Sequence, residues 1–241
     1  MNKFLLGAMA ALATTIALPS LAAPAPAKKA AAKPAAARDW SKTVAVTAAG
    51  GYRMGNPAAK VTLVEYGSMT CPHCGHFATD DEPKLIDKYV RGGKVAFEFR
   101  NFIRDPFDIA AALTARCSGA SGFFPVTHQL FATQEQWFAK LRAAGDERLK
   151  ALQSLTPAQQ MSQVADLAGF TDVAKARGIP LAKYKACIGD KKNVDALMKL
   201  RNDASFVEGT PTFLINGAKV EFDAQGPALW DQLDAKIAAA L

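Results

Sequence analysis

The chain has 241 residues, half of them apolar, and a formal net charge of +7. That length and composition supply a sizeable core and exclude a chain that is disordered throughout. Residues 1–39 hold Lys3, Lys28, Lys29, Lys33 and Arg38 against Asp39, so residues 40–241 carry only +3; no aromatic and basic interleaving marks a nucleic-acid surface.

Residues 1–22 read as a cleaved secretory signal. Lys3 begins it, Phe4 to Leu18 is apolar, and Ser20 and Ala22 flank a cleavage site that makes Ala23 the first mature residue. Thr14, Thr15, Pro19 and Ser20 interrupt the run, which falls short of the roughly 20 residues a membrane span needs. Residues 23–39 are nearly all Ala, Pro and Lys and read as a disordered linker. Thr43 to Val46 is a short β-branched segment, with turns at Gly50-Gly51 and Gly55-Asn56-Pro57, and Val61 to Tyr66 is a strand.

A helix is expected from Cys71 to Val90, stopped by Arg91-Gly92-Gly93. Lys94 to Arg100 alternates Val95, Phe97 and Phe99 with other residues, the period of a strand. From Pro106 to Phe206 the spacing turns helical: Ile109, Leu113 and Cys117 recur every four residues, and Thr156-Pro157 opens a further helix. Thr212 to Ile215 and Lys219 to Phe222 flank Asn216-Gly217 as a hairpin, and a last helix runs from Gly226 to Leu241. A β-α-β half and a β-β-α half thus enclose a helical block. That order fits an α/β protein, a thioredoxin-like mixed sheet (residues 40–105 and 207–241) with an inserted all-helical domain (residues 106–206) that caps the active-site end.

Cys71-Pro72-His73-Cys74 stands where the strand gives way to the helix. A thiol in the first turn of a helix faces unpaired N–H groups and the positive end of the helix dipole, which favour thiolate. Cys71 is therefore the nucleophile and Cys74 the buried, resolving partner, while His73 can add positive charge beside Cys71. The spacing is also half of many zinc sites, but Cys117, Cys187, His76 and His128 form no second close pair, so no metal is expected. His76 and His128 have no motif partner and read as surface or satisfied core residues. With Cys71 and Cys74 adjacent, Cys117 and Cys187 are left to pair with each other or to stand as two buried thiols. An unpaired thiol in an oxidising compartment is a liability, which favours the pair. Glu65, on an otherwise apolar strand six residues before Cys71, is either a buried carboxylate that relays a proton to and from Cys74 or a member of a structural ion pair.

With the signal segment, Cys71-Pro72-His73-Cys74, the helical block and Gly209-Thr210-Pro211-Thr212-Phe213, the chain resembles the DsbA family of bacterial periplasmic thiol-disulfide oxidoreductases. The resemblance implies an oxidising Cys71–Cys74 pair with Pro72 and His73 between the sulfurs, and an acidic residue at the place of Glu65. It also implies a cis Thr210-Pro211 bond facing the cysteines, with the Thr210 backbone free to pair with an extended substrate. It further implies a periplasmic monomer without cofactor, acting on reduced exported polypeptides and reoxidised by a membrane quinone-linked thiol oxidase. Thr210 departs from the oxidase prototype and is shared with isomerase-like relatives, so a disulfide isomerase or reductase of the same fold is the alternative. From a different class, a non-catalytic metal-binding interaction protein is a third.

Overall fold

The computed structural model describes residue 1 and residues 38–241; the expected signal segment and almost all of the expected linker lie outside the described residues. The linker's last two residues belong to the folded part. Asp39 accepts from the Ser41 N–H at the start of a 3-10 turn (Trp40–Lys42) and pairs with Arg91 at 2.7 Å, and the Arg38 guanidinium lies 4.0 Å from the Trp40 ring centre.

Six strands form one mixed sheet in the order β1-β2-β4-β3-β5-β6: β1 (Val44–Val46), β2 (Tyr52–Met54), β3 (Val61–Gly67), β4 (Val95–Asn101), β5 (Thr212–Ile215) and β6 (Ala218–Lys219). Only β3 and β4 run parallel, as a helical crossover requires, and the other neighbours are antiparallel. β3 is central and buried on both faces, which explains its near-continuous run of apolar residues. Two strand readings need correction. β2 was read only as the space between two turns, because three residues are too few to show a period. β6 spans Ala218–Lys219 rather than Lys219 to Phe222, since pairing beyond the Asn216-Gly217 turn ends with the Val220 N–H bond to the Phe213 carbonyl.

The crossover begins with α1 (Pro72–His76) and α2 (Glu82–Leu85). Two π turns, Phe77–Asp81 and Ile86–Val90, merge these into one helical run over residues 72–90. Pro83 explains the first irregularity: it has no N–H for the carbonyl four residues back and its ring crowds that carbonyl, so the ladder widens just before it. The helical block follows as α3 (Pro106–Arg116), α4 (Gly119–Ala132), α5 (Gln134–Ala144), α6 (Asp146–Ala151), α7 (Pro157–Ala168), α8 (Phe170–Ala176), α9 (Leu181–Ile188) and α10 (Lys191–Asp203). Asp105 caps α3 ahead of Pro106, and Thr156 forms a capping box with Gln159 ahead of Pro157. α11 (Leu229–Ala240) closes the chain, starting later than Gly226 because the Gln232 amide donates to the Asp223 and Pro227 carbonyls and holds that segment as a turn.

One aromatic core joins the helical block to the sheet. Phe77 packs on Phe213 and Phe97 with ring centres 4.8 and 6.3 Å apart, and Phe97 and Phe99 meet Phe124, Phe123 and Phe131 of α4. Each buried Phe contributes about 1.5–3 kcal/mol. The block is therefore no free-standing layer, and the chain from Arg38 onward belongs to one compact unit.

Cys117, just past α3, is joined to Cys187 in α9, with Cα atoms 5.9 Å apart, so the two cysteines left over by the sequence motif are paired. The bridge closes a separation of 70 residues, for which loop entropy in the unfolded chain gives about 4 kcal/mol. A Cys117→Ser/Cys187→Ser double variant should lose stability on that order in urea unfolding while retaining disulfide exchange at Cys71.

Candidate active site

Cys71 is the residue before the first turn of α1, with extended backbone angles (φ −88°, ψ 121°), and Pro72 takes the position where a missing N–H costs nothing. Both thiols are free. Cys74, one turn on, is fully buried, whereas Cys71 is 3% exposed and forms part of a groove of about 410 Å³ with Pro72, His73, Phe102, Arg104 and Thr210. Substrate can therefore reach Cys71 and not Cys74. The Thr210-Pro211 peptide is cis, and the Cys71 thiol donates to the Thr210 carbonyl at 3.1 Å. The sequence-predicted residues Cys71, Pro72, His73, Cys74 and Thr210-Pro211 thus lie together, although 139 residues separate Cys71 from Thr210.

The two sulfurs are driven apart in acidity. Cys71 is lowered to about 4, first by a hydrogen bond from the Cys74 thiol, against the opposing effect of burial, then by the Thr210 side chain and the backbone N–H groups of Cys74 and His73. Cys74 is pushed well above the ordinary thiol range, first by burial, then by its bond to Cys71 and the charge of Glu65. His73 contributes through its N–H, while its side chain is solvent-exposed.

Glu65 is 1% exposed, on the β3 face toward the core. Its acidity is suppressed chiefly by burial and then by the charges of Glu82 and Cys71. Among the described residues it has no ion-pair partner, and its Oε1 accepts no hydrogen bond, which argues against the structural-pair reading. Gly67 leaves room for it, since a Cβ there would lie 2.9 Å from Glu65 Oε1 and 2.5 Å from the Phe99 ring. Of the two histidines read as bland, His76 pairs with Asp80 at the surface, and His128 is satisfied by buried Glu82 at 2.8 Å.

Two groups that hold the site escaped sequence reasoning. Asp108 of α3 is buried and accepts from the Ser68 hydroxyl at 2.6 Å, the Met69 N–H at 2.8 Å and the Arg104 N–H at 3.0 Å. Gln134, the first residue of α5, donates to the Met69 and Cys71 carbonyls at 2.8 and 3.1 Å. A Cβ at Gly75 would lie 3.1 Å from the Gln134 Oε1. Asp108 was visible only as a helix-start residue after Asp105-Pro106, and Gln134 carried no signal. Among the described residues no group of three or more His, Cys, Asp and Glu side chains is placed to share a metal ion.

The family model described as Thioredoxin matches residues 47–238. The chain belongs to the thioredoxin family. A solved protein-disulfide isomerase from Novosphingobium aromaticivorans is 34% identical, with a TM-score of 0.69, over 78% of this chain and 95% of that one. Wolbachia pipientis α-DsbA1, 22% identical with a TM-score of 0.61 over 79% and 90% of the two chains, shares the fold. A Rickettsia bellii chain that carries the name protein-disulfide oxidoreductase is 29% identical over 172 residues, 70% of this chain and 58% of its own; one from Rickettsia prowazekii is 30% identical over 171 residues, 70% and 55%. The chain thus spans little more than half the length of these curated relatives. The resemblance read from the sequence holds at the level of family and DsbA-type fold, with Cys71 and Cys74 one helical turn apart at the start of α1.

Two outcomes follow from this geometry. Thr210→Val removes a donor to the Cys71 thiolate and should raise the Cys71 pKa by roughly one pH unit, the worth of one hydrogen bond to a charged group, in a thiolate-absorbance titration. Asp108 is raised from 3.8 to about 7, chiefly by burial, against the Ser68, Arg104 and Met69 donors. The folded state then holds this proton more tightly than the unfolded chain, so the group's contribution to stability falls as pH rises from about 4 to 7. The stability of the parent relative to Asp108→Asn should fall across that window and level off above it.

Proposed function

We propose that the chain is a periplasmic dithiol oxidase that donates its Cys71–Cys74 disulfide to reduced exported polypeptides. The observation that carries this reading is the thiolate at Cys71. Interactions that stabilise the ionised, reduced form make the disulfide easier to reduce, and so turn the pair into an oxidant. A substrate thiolate attacks Cys71 Sγ; the Cys71–Cys74 bond breaks, and its electron pair leaves on Cys74, which takes a proton from Glu65. A second substrate thiolate then attacks its own sulfur in the mixed disulfide, and Cys71 departs as the stabilised thiolate. The substrate gains a disulfide and the protein two electrons. In this reading a membrane quinone-linked thiol oxidase returns the pair to the disulfide, and the exposed His73 imidazole stands at the groove mouth. The groove suits an extended backbone, with Phe102 for an apolar side chain and Arg104 and Glu208 for charged ones.

Disulfide isomerisation is the second reading, favoured by the likeness to the Novosphingobium protein-disulfide isomerase. The roles of the cysteines separate the two. An oxidase needs both sulfurs, whereas isomerisation needs only a thiolate that attacks and leaves. Cys74→Ser should therefore abolish oxidation of a reduced protein substrate; a monomer that loses nothing on this change and rescues a scrambled substrate quickly would be the isomerase. Fractionation of the producing cell, with N-terminal sequencing of the mature protein, tests export and cleavage before Ala23.

The same thiolate sets a pH dependence of stability. Cys71 is lowered from 9 when unfolded to about 4 in the folded reduced protein, so its contribution is full above about pH 9 and falls progressively as pH drops from about 9 to about 4. The disulfide form has no such group. The reduced protein should unfold at higher urea concentration than the oxidised one at neutral pH, and the gap should close toward pH 4; a gap independent of pH would remove the basis for the oxidase.

A further inference from the structure

A thiol that alternates between S–H and a disulfide in a sealed core must exchange its proton with water on every cycle. Cys74 is fully buried, and Glu65, the carboxyl beneath it, is 1% exposed, so in the reading above Glu65 can take or give one proton but cannot itself return it to solvent. Neither Cys74 nor Glu65 lines the groove. A second buried carboxylate does point outward. Glu82, in the same helical run as the cysteines, is 2% exposed and meets the Nε2 of His128 of α4 at 2.8 Å. The His128 side chain is 35% exposed and lines a separate opening of about 410 Å³ with Lys42, Val44, Ser121 and Pro125.

We propose that Glu82 and His128 form a proton path between Glu65 and the solvent at this second opening, away from the substrate groove. The inference rests on the reading of Glu65 as the proton partner of Cys74. Three features beyond the pair itself support it. Glu65 Oε1 is buried with no hydrogen-bond partner among the described residues, so it is free to take up a proton. The charge of Glu82 is the second cause, after burial, of the suppressed acidity of Glu65, which places the two carboxyls within electrostatic reach inside the core. Imidazole is the side chain that changes charge near neutrality, so it can both receive a proton from Glu82 and release it to water. Other charges face the path: Arg177 opposes the imidazolium, Glu82 favours it, Lys42 lines the same opening, and Cys71 and Cys74 face Glu65.

No direct hydrogen bond joins Glu65 to Glu82, so transfer between them requires rotation of a carboxyl. In the closing direction the balance is as follows. The Cys74 S–H proton passes to the Glu65 carboxylate, and the electron pair freed on sulfur forms the bond to Cys71 Sγ. The bond from Cys71 to its partner sulfur breaks, the pair leaving on that partner thiolate. The proton then moves through Glu82 to His128 and to water, and Glu82 and His128 return unchanged. In the opening direction the same path runs inward.

The full chain, reduced and mixed with excess oxidised glutathione in dilute buffer, separates the steps. Acid quenching follows formation of the Cys71–glutathione mixed disulfide and its later resolution by Cys74. Formation uses the Cys71 sulfur and should be the same in Glu82→Gln and in both His128 variants as in the parent. Resolution should slow roughly tenfold in Glu82→Gln and in His128→Ala, as expected for loss of a positioned proton-transfer group. Added imidazole should restore His128→Ala and leave Glu65→Gln slow. A His128→Gln variant keeps a donor to Glu82 without the titrating ring, and should be as slow as His128→Ala. Resolution at the parent rate in His128→Gln, or a slow His128→Ala that imidazole does not restore, would make the pair a structural tether and overturn the path. Should His128→Ala fail to fold, Glu82→Gln, nearly equal in volume, decides the matter by the same resolution rate. If Glu65→Gln is slow while Glu82→Gln and His128→Gln match the parent, the path falls and the role of Glu65 stands; if Glu65→Gln matches the parent, the underlying reading falls first.

Discussion

A sulfur that is stable as an anion inside a mostly apolar core needs donors aimed at it from several sides, and those donors must not move. Around Cys71 they come from the Cys74 thiol, the Thr210 side chain and the N–H groups of His73 and Cys74. The helix start supplies two of them from the local chain. Thr210 comes from far along the sequence, and it reaches the sulfur only because β5 pairs beside β3, with Tyr66 opposite Thr212. The thiolate is therefore a property of the sheet as much as of the helix that begins at Pro72.

The helical block holds the other end of this arrangement. The loop from Ser68 to Cys71 leaves the Met69 N–H and carbonyl without a strand or helix partner, and α3 and α5 supply those partners through Asp108 and Gln134. Leaving one such buried group unmade costs about 1–3 kcal/mol, so the loop is fixed by the insertion as firmly as by the sheet. Phe123, Phe124 and Phe131 bind α4 to β4, and the Cys117–Cys187 bridge ties α9 to the end of α3. The insertion thus serves as the scaffold of the loop that carries Cys71.

Much of this was legible in the chain because its signals are local. The strand-to-helix change at Cys71, the alternation of Val95, Phe97 and Phe99, and the Asn216-Gly217 turn each need only a few neighbouring residues to be read. What stayed hidden depends on contacts distant in sequence. Asp108 looks like any acidic residue in a first helical turn, Gln134 like any polar residue in a helical stretch, and His128 has no neighbour in the chain to mark Glu82 as its partner. β2 was hidden for a different reason, since three residues between glycine turns cannot display a period of two. Glu65 lay between these cases. Its place on an apolar strand was plain, but only the fold shows a carboxyl oxygen with no partner beneath the thiols.

The asymmetry of the two thiols has a consequence for which substrates the site can serve. Because Cys71 is ionised and Cys74 is not, attack from the groove is directed to the Cys71 sulfur, and geometry reinforces this by burying Cys74 completely. The groove walls contribute little that would discriminate among polypeptides. Phe102 offers an apolar surface, Arg104 and Glu208 carry opposite charges, and the Thr210 carbonyl belongs to the backbone. Backbone and generic apolar contacts accept many sequences, provided that the chain is extended enough to enter, which a folded domain is not. In the proposed reading, selection then falls on the conformational state of the substrate, and a reduced chain that has not yet folded would meet that condition.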